Sequence, residues 1–236
     1  MKVTLLASTE NAQELLVFTK RTRLQMSADG FEKIFELPEA EIKAELEYMV
    51  NTIKSSWEFM DMTFMIEGVS RAFTHQFVRN RTGSYAQQTM RILEMDGFEY
   101  VTGPGIKTTT QKMVYDDCMD KIQRAYDELI KLGVPIEDAR GILPTNICTN
   151  IVVKHNLRSL SQMMASRASS RTQSEYRDVI EGMYQEAVKK HPWVAEFLRD
   201  GKTKACNRLE SIIHNYFDGT AYVNDYIKLV DQIRNA

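Results

Sequence analysis

Residues 58–67 read Glu-Phe-Met-Asp-Met-Thr-Phe-Met-Ile-Glu, and their period decides the class of fold. Met60, Met62, Phe64 and Ile66 alternate with Phe59, Asp61, Thr63, Met65 and Glu67, the pattern of a β-strand with one wetter face. On the N-terminal side the period is helical: Leu37-Pro38-Glu39 opens a helix carrying Ile42, Leu46, Met49, Val50 and Ile53. Before it, Met1 to Ala7 predicts a strand, and Ser8, Thr9 and Glu10 open a helix through Leu15, Leu16 and Phe18. On the C-terminal side a short helix over 69–80 precedes the turn Thr82-Gly83-Ser84 and an extended piece through Ile92. A loop over 96–109, a helix over 110–132 stopped by Gly133 and Pro135, a β-rich segment from Thr145 to Val153, and helices over 156–168 and 172–190 follow. The last 35 residues are helical. Strands separated by long helical stretches, with no GxGxxG, predict an α+β (mixed α/β) layer arrangement rather than a doubly wound sheet.

The 236 residues are 43% apolar and 26% charged, which suits one domain or two small ones, with one over 1–236 expected, and excludes fibrous, disordered and disulfide-scaffold classes. No apolar run approaches the ~18 residues that cross a bilayer, and Lys2 followed by a short apolar run is no signal peptide. Cys118, Cys148 and Cys206 form no CxxC pair, so a cytoplasmic home is expected and neither a structural zinc site nor any other metal site is. Cys118, in the pattern Val114, Cys118, Ile122, is expected in the core, Cys148 in packing, and Cys206 on a surface helix.

A net charge of −2 argues against a nucleic-acid coat, yet charge is unevenly spread. No acid lies between Glu67 and Glu94, a window holding Arg71, Arg79, Arg81 and Arg91. None lies between Asp138 and Glu175, where Arg140, Lys154, Arg158, Arg167 and Arg171 fall. Arginines cleared of acids suit a multiply anionic small molecule; two ordinary solvated faces would give the same counts. Inside the first window, residues 76–91 read Gln-Phe-Val-Arg-Asn-Arg-Thr-Gly-Ser-Tyr-Ala-Gln-Gln-Thr-Met-Arg. Arg79, Asn80 and Arg81 precede a glycine turn able to expose backbone N–H groups to phosphate, and Gln87, Thr89 and Arg91 share one face if extended. A polar edge strand is the plainer alternative.

These residues resemble the signature of the flavin-dependent thymidylate synthases: an Arg-His-Arg triplet, then Ser, then Ser and Arg, here Arg79-Asn80-Arg81, Ser84, Thr89 and Arg91. Val69-Ser70-Arg71-Ala72, His75-Gln76, the opening strand Met1 to Ala7, and Ser55 with Glu58 are similar to the family as well. So are Ala139-Arg140, Leu143-Pro144, Asn156-Leu157-Arg158-Ser159-Leu160, Arg167, and Gln173 with Glu175, so the likeness covers roughly residues 1 to 200. It implies a central, largely antiparallel sheet flanked by long helices. It also implies FAD as cofactor, methylenetetrahydrofolate and NADPH as co-substrates, a homotetramer with shared active sites, and methylation of dUMP to dTMP. The substrate positions it implies are Gln76, Phe77, Val78, Arg79, Gln87, Gln88, Thr89, Met90, Arg91, Arg140 and Arg167, with Arg167 also the active-site arginine that favours ionisation at pyrimidine N3. The flavin positions are Ser55, Arg79, Asn80, Arg81, Gln87, Asn156, Leu157, Arg158 and Gln162. On one helix Asn156 and Arg167 fall within about 20° of each other, so they are expected to face one half-buried pocket.

The chain departs from the family at Asn80 and Ile53, where histidines are usual, and at Met90 and Ile92. These changes leave open a relative acting on dCMP, one delivering hydroxymethyl, or a catalytically silent nucleotide or flavin binder. A single-stranded nucleic-acid binder stacking bases on Phe77 and Tyr85 is disfavoured by the negative charge. No histidine is given a catalytic role, and a structural hydrogen bond is expected of His75.

Overall fold

The period-two stretch becomes an interior strand. In the computed structural model, which describes residues 1–21, 26–90, 97–169, 171–199 and 201–235, four antiparallel strands form a sheet in the order β1-β2-β4-β3. The strands are β1 (Lys2–Ser8), β2 (Asp61–Ser70), β3 (Ser84–Gln87) and β4 (Cys148–Asn156). Register sets Met62 opposite His155, Phe64 opposite Val153 and Ile66 opposite Ile151, so alternate side chains of the two inner strands meet on one face. That face is fully buried, while Asp61 and Lys154 pair at 3.0 Å on the other. The expected wetter face is therefore present.

The helices are α1 (Ala12–Lys20), α2 (Ala28–Glu32), α3 (Glu39–Asn51), α4 (Arg71–Phe77), α5 (Thr109–Lys131), α6 (Ile136–Ala139), α7 (Leu157–Arg167), α8 (Ser174–Lys190), α9 (Ala195–Leu198), α10 (Gly201–Phe217) and α11 (Val223–Asn235). One apolar cluster joins Leu16 and Val17 of α1, Leu46 and Met49 of α3, Phe73 and Phe77 of α4, Leu160 and Met164 of α7, and Val179 and Met183 of α8 to the buried sheet face. Burial of these side chains at about 1.5–3 kcal/mol each is the main force holding the layers together. A second, small cluster of Cys206, Ile213, Ile227 and Val230 lies within the α10–α11 hairpin. No helix among the described residues is long and apolar enough to cross a membrane.

Several local expectations are corrected. Ser8 and Thr9 do not open α1: Ser8 ends β1 with its Oγ 2.7 Å from His191 Nε2, and Thr9 Oγ1 accepts from Asp61 N. Asn11, in left-handed conformation, stands at the N-cap instead and makes no side-chain cap. Strand β2 runs through Val69 and Ser70, which had been expected in the helix, and Ile53 lies outside α3. Strand β3 stops at Gln87 rather than running on: Gln88 to Met90 are not strand, and Arg91 and Ile92 lie outside the described residues. Helix α5 ends as expected, with Gly133 at φ 81° and both Gly133 N and Val134 N returning to carbonyls of the last turns. Its buried residues are Met119 and Tyr126, however, leaving Cys118 and Val114 exposed, because the face turned inward is one residue round from the one assumed. Cys206 is buried rather than superficial, since its helix has a partner in α11.

Candidate functional site

Helix α4 is only two turns long, and side chains from distant elements hold both of its ends. Ser70 caps it, accepting from Phe73 N at 3.0 Å and donating its hydroxyl to Glu175 Oε2 at 2.5 Å. Ser70 N donates to the other Glu175 oxygen at 2.6 Å, so the carboxylate in the first turn of α8 fastens the β2–α4 junction. Arg71 N and Ala72 N donate to the carbonyls of Ile147 and Thr145. These bonds dock the start of α4 on the segment leading from Arg140 through Leu143-Pro144 into β4. Further along, Thr74 Oγ1 accepts from Gln87 Nε2 at 2.9 Å, and Gln76 Nε2 donates to Gln173 Oε1 at 2.8 Å. Gln76, Gln87, Gln173 and Glu175 thus gather round one helix, although Gln76 and Gln173 are 97 residues apart in sequence.

Arg167 reaches this cluster from the end of α7. Its guanidinium lies 5.0 Å from the centroid of the Tyr176 ring, a cation–π contact. Tyr176 is buried edge-on against Phe73 and Phe77 of α4 and follows Glu175 in sequence. Burial pushes its hydroxyl pKa up, against the opposing pull of Arg167. Arg167 also borders a cleft of about 390 Å³ shared with Arg177, Asp178, Glu181 and Arg199.

Beyond α4 the chain turns through Arg79-Asn80-Arg81, with Gly83 N donating to Asn80 O. Tyr85 Oη donates to Asn80 O at 2.7 Å and stands 3.3 Å from His155 Nε2. With the tyrosine proton so placed, His155 is the Nε2–H tautomer, and its buried Nδ1 is left without a partner. Desolvation by burial lowers the His155 pKa to about 4, so the ring is neutral. Gly83 is packed on that ring: a Cβ there would stand 2.7 Å from His155 Nε2 and 2.9 Å from Tyr85 Oη. Since His155 immediately precedes Asn156-Leu157-Arg158, the triplet turn and the start of α7 meet across it. Asn156 Oδ1 caps α7 by accepting from Ser159 N, and Arg158 Nη1 donates to Glu58 Oε1 at 2.6 Å. Glu58 shares a 3-10 turn over Lys54–Phe59 with Ser55. Of the positions expected to hold flavin, Arg79, Asn80, Arg81 and Asn156 meet across His155 beyond the end of α4, whereas Gln87 bonds Thr74 within the helix.

Among the described residues, Arg71, Arg79, Arg81, Arg140 and Arg167 pair with no carboxylate, whereas Arg158 pairs with Glu58 and Arg171 with Asp231. Guanidiniums that no carboxylate neutralises suit an anionic ligand. No group of three or more His, Cys, Asp or Glu among the described residues could hold a metal ion.

Some positions fall elsewhere than expected. Arg91 lies outside the described residues. Phe77 and Leu157 are wholly buried in the core and Met90 nearly so, leaving chiefly their backbones for a ligand; Val78, Gln88 and Thr89 are exposed. Asn156 is a cap in extended conformation and Arg167 ends the same helix about 16 Å away at 1.5 Å per residue, so they do not face one pocket within the chain. Arg167 is exposed, not half-buried. His75 is exposed and makes no hydrogen bond among the described residues. Sequence reasoning gave no role to His155, Thr74 or Arg71, although Arg71 stands in the first acid-free window and in the family-like stretch Val69-Ser70-Arg71-Ala72.

Fold and site together define an α+β protein with a cationic, carboxamide-lined site built round one short helix at a strand–helix junction. The family model described as thymidylate synthase complementing protein matches residues 4–193, and the chain belongs to that family. It is 32% identical over 195 residues to the flavin-dependent thymidylate synthase of Sulfurisphaera tokodaii, covering 81% of this chain and 75% of the relative. The enzyme of that name from Clostridium tetani is 32% identical over 211 residues, 81% and 84% of the two chains, and that from Geobacter sulfurreducens 36% over 183 residues, 75% and 78%.

Proposed function

We propose that this protein converts dUMP to dTMP, with methylenetetrahydrofolate as carbon donor, reduced FAD as hydride donor and NADPH as the reductant of the flavin. The observation that carries the reading is the gathering of Gln76, Gln87, Gln173 and uncompensated Arg140 round α4 in a chain of this family. The donors at the other end of α4 fit a dinucleotide: Arg79 and Arg81 are free for a pyrophosphate, and the cap bond of Asn156 uses only Oδ1, leaving its Nδ2 to donate. When bound, the reduced flavin supplies the hydride. The chain's own residues bind, orient and polarise the reacting groups. Arg79, Arg81, Asn156 and Gln162 hold the cofactor, Gln76 and Gln87 orient the pyrimidine edge, and Arg140 takes the phosphate. Arg167 stabilises negative charge as the N3 proton leaves the ring, an electrostatic role that is strongest where water is excluded.

The cysteines support a route without a thiolate nucleophile. Cys148, at the start of β4, has its thiol pKa raised by burial, with Glu99 and Glu175 adding to the effect; Cys206 is enclosed in the small cluster. Exposure of Arg79, Arg81 and Arg167 in the single chain supports a homotetramer in which neighbouring subunits close the site. The free state of all three cysteines agrees with a cytoplasmic enzyme.

The test is mass spectrometry of the product formed from dUMP and, separately, from dCMP, with folate and reduced flavin present. A methylated product from dUMP alone is expected. A product from dCMP alone, or a hydroxymethyl adduct, would replace the substrate or the transferred group, and a colourless protein that takes up no flavin would leave a silent binder.

A further inference from the structure

Arg71 opens α4 and has no role in the scheme above, yet its surroundings are those of an anion receptor. The side chain is partly buried, and its Nη1 is sealed from solvent without any hydrogen-bond partner. No carboxylate among the described residues pairs with it. Glu175, bonded to the preceding residue, accepts from Ser70 N, Ser70 Oγ and Gln173 Nε2 and makes no bond to Arg71. Burial, and then the neighbouring Arg140 guanidinium, hold the Arg71 pKa below its ordinary value. The backbone brings the two segments together: Arg71 N and Ala72 N bond the carbonyls of Ile147 and Thr145, on the segment that follows the Arg140–Ile142 turn. Arg140 in turn donates only Nε, to Glu137 O at 3.1 Å, so its terminal nitrogens remain available.

Two guanidiniums close enough to repel, one of them with a buried donor unmade, are costly in the free protein. A phosphate monoester, carrying nearly two negative charges and three acceptor oxygens, offsets the repulsion by accepting from the accessible nitrogens of both forks. We propose that Arg71 and Arg140 together clamp the 5′-phosphate of the nucleotide, making Arg71 a substrate-binding residue; this rests on the nucleotide reading above.

The experiment is calorimetric binding of dUMP, dCMP and deoxyuridine to the wild-type protein, Arg71→Gln and Arg71→Lys. Arg71→Gln is expected to weaken the preferred monophosphate by about 10- to 100-fold. Deoxyuridine should bind as before, which also verifies the fold of the variant, and Arg71→Lys, with charge but no fork, should fall between. Unchanged monophosphate affinity in Arg71→Gln, or equal loss of nucleotide and nucleoside, overturns the clamp while leaving the nucleotide reading intact. A wild type that ignores dUMP but binds dCMP with the same Arg71 dependence keeps the clamp and removes uracil as the base. A wild type that binds no monophosphate overturns both.

Discussion

Arg167 separates catalysis from stability more cleanly than any other side chain here. It is exposed at the end of α7 and touches the fold chiefly through the Tyr176 ring. Arg167→Gln should lower kcat about 100-fold, while the urea midpoint changes by no more than about 0.5 kcal/mol in stability. His155 is the opposite case. Its pKa is depressed from 6.5 to about 4, so between those values the unfolded chain binds a proton that the folded chain refuses. Stability is therefore full above pH 6.5 and falls as the pH is lowered toward 4, by about 3 kcal/mol in all. Urea titrations across that window should show the loss, and His155→Gln should flatten it. Gly83→Ala would drive a methyl group into His155 and Tyr85; a cost of about 1–3 kcal/mol in denaturation and weaker flavin uptake are expected.

Both inner strands run directly into helices, with no loop between, and a single polar side chain makes each corner. Ser70 caps α4 and Asn156 caps α7. Asn156→Ala should cost about 0.5–2 kcal/mol. Asn156→Ser should recover that stability by restoring the cap, but not flavin affinity, because it lacks the amide donor; absorbance of the purified variants separates the two effects. The corners also explain what was legible. The alternation at Met62, Phe64 and Ile66 announces β2, and Gly133 announces the stop of α5, because both are local consequences of side-chain period and backbone conformation. The inward face of α5 was misjudged at Cys118, because a helix with apolar residues on two sides takes its orientation from its neighbours.

The α10–α11 hairpin lies beyond the family-matched residues 4–193, encloses its own cluster, and is tied to the body by the Arg171–Asp231 pair. Its opening should be independent of the main core. Val230→Ala is expected to raise amide exchange throughout α10 and α11 and leave β2 and β4 unchanged; equal acceleration in the strands would show that the hairpin and sheet unfold as one. The amino-acid sequence alone determined the order of elements, the exclusion of acids from two arginine-bearing windows, and the family. All three are written in residue type and spacing along the chain. Only the tertiary structure decided that Glu175 seals the start of α4, that Gly83 rests on His155, and that Arg71 comes within electrostatic reach of Arg140. Each joins residues 69 to 105 positions apart, and such contacts follow from how strands pair and helices dock, which no local pattern encodes.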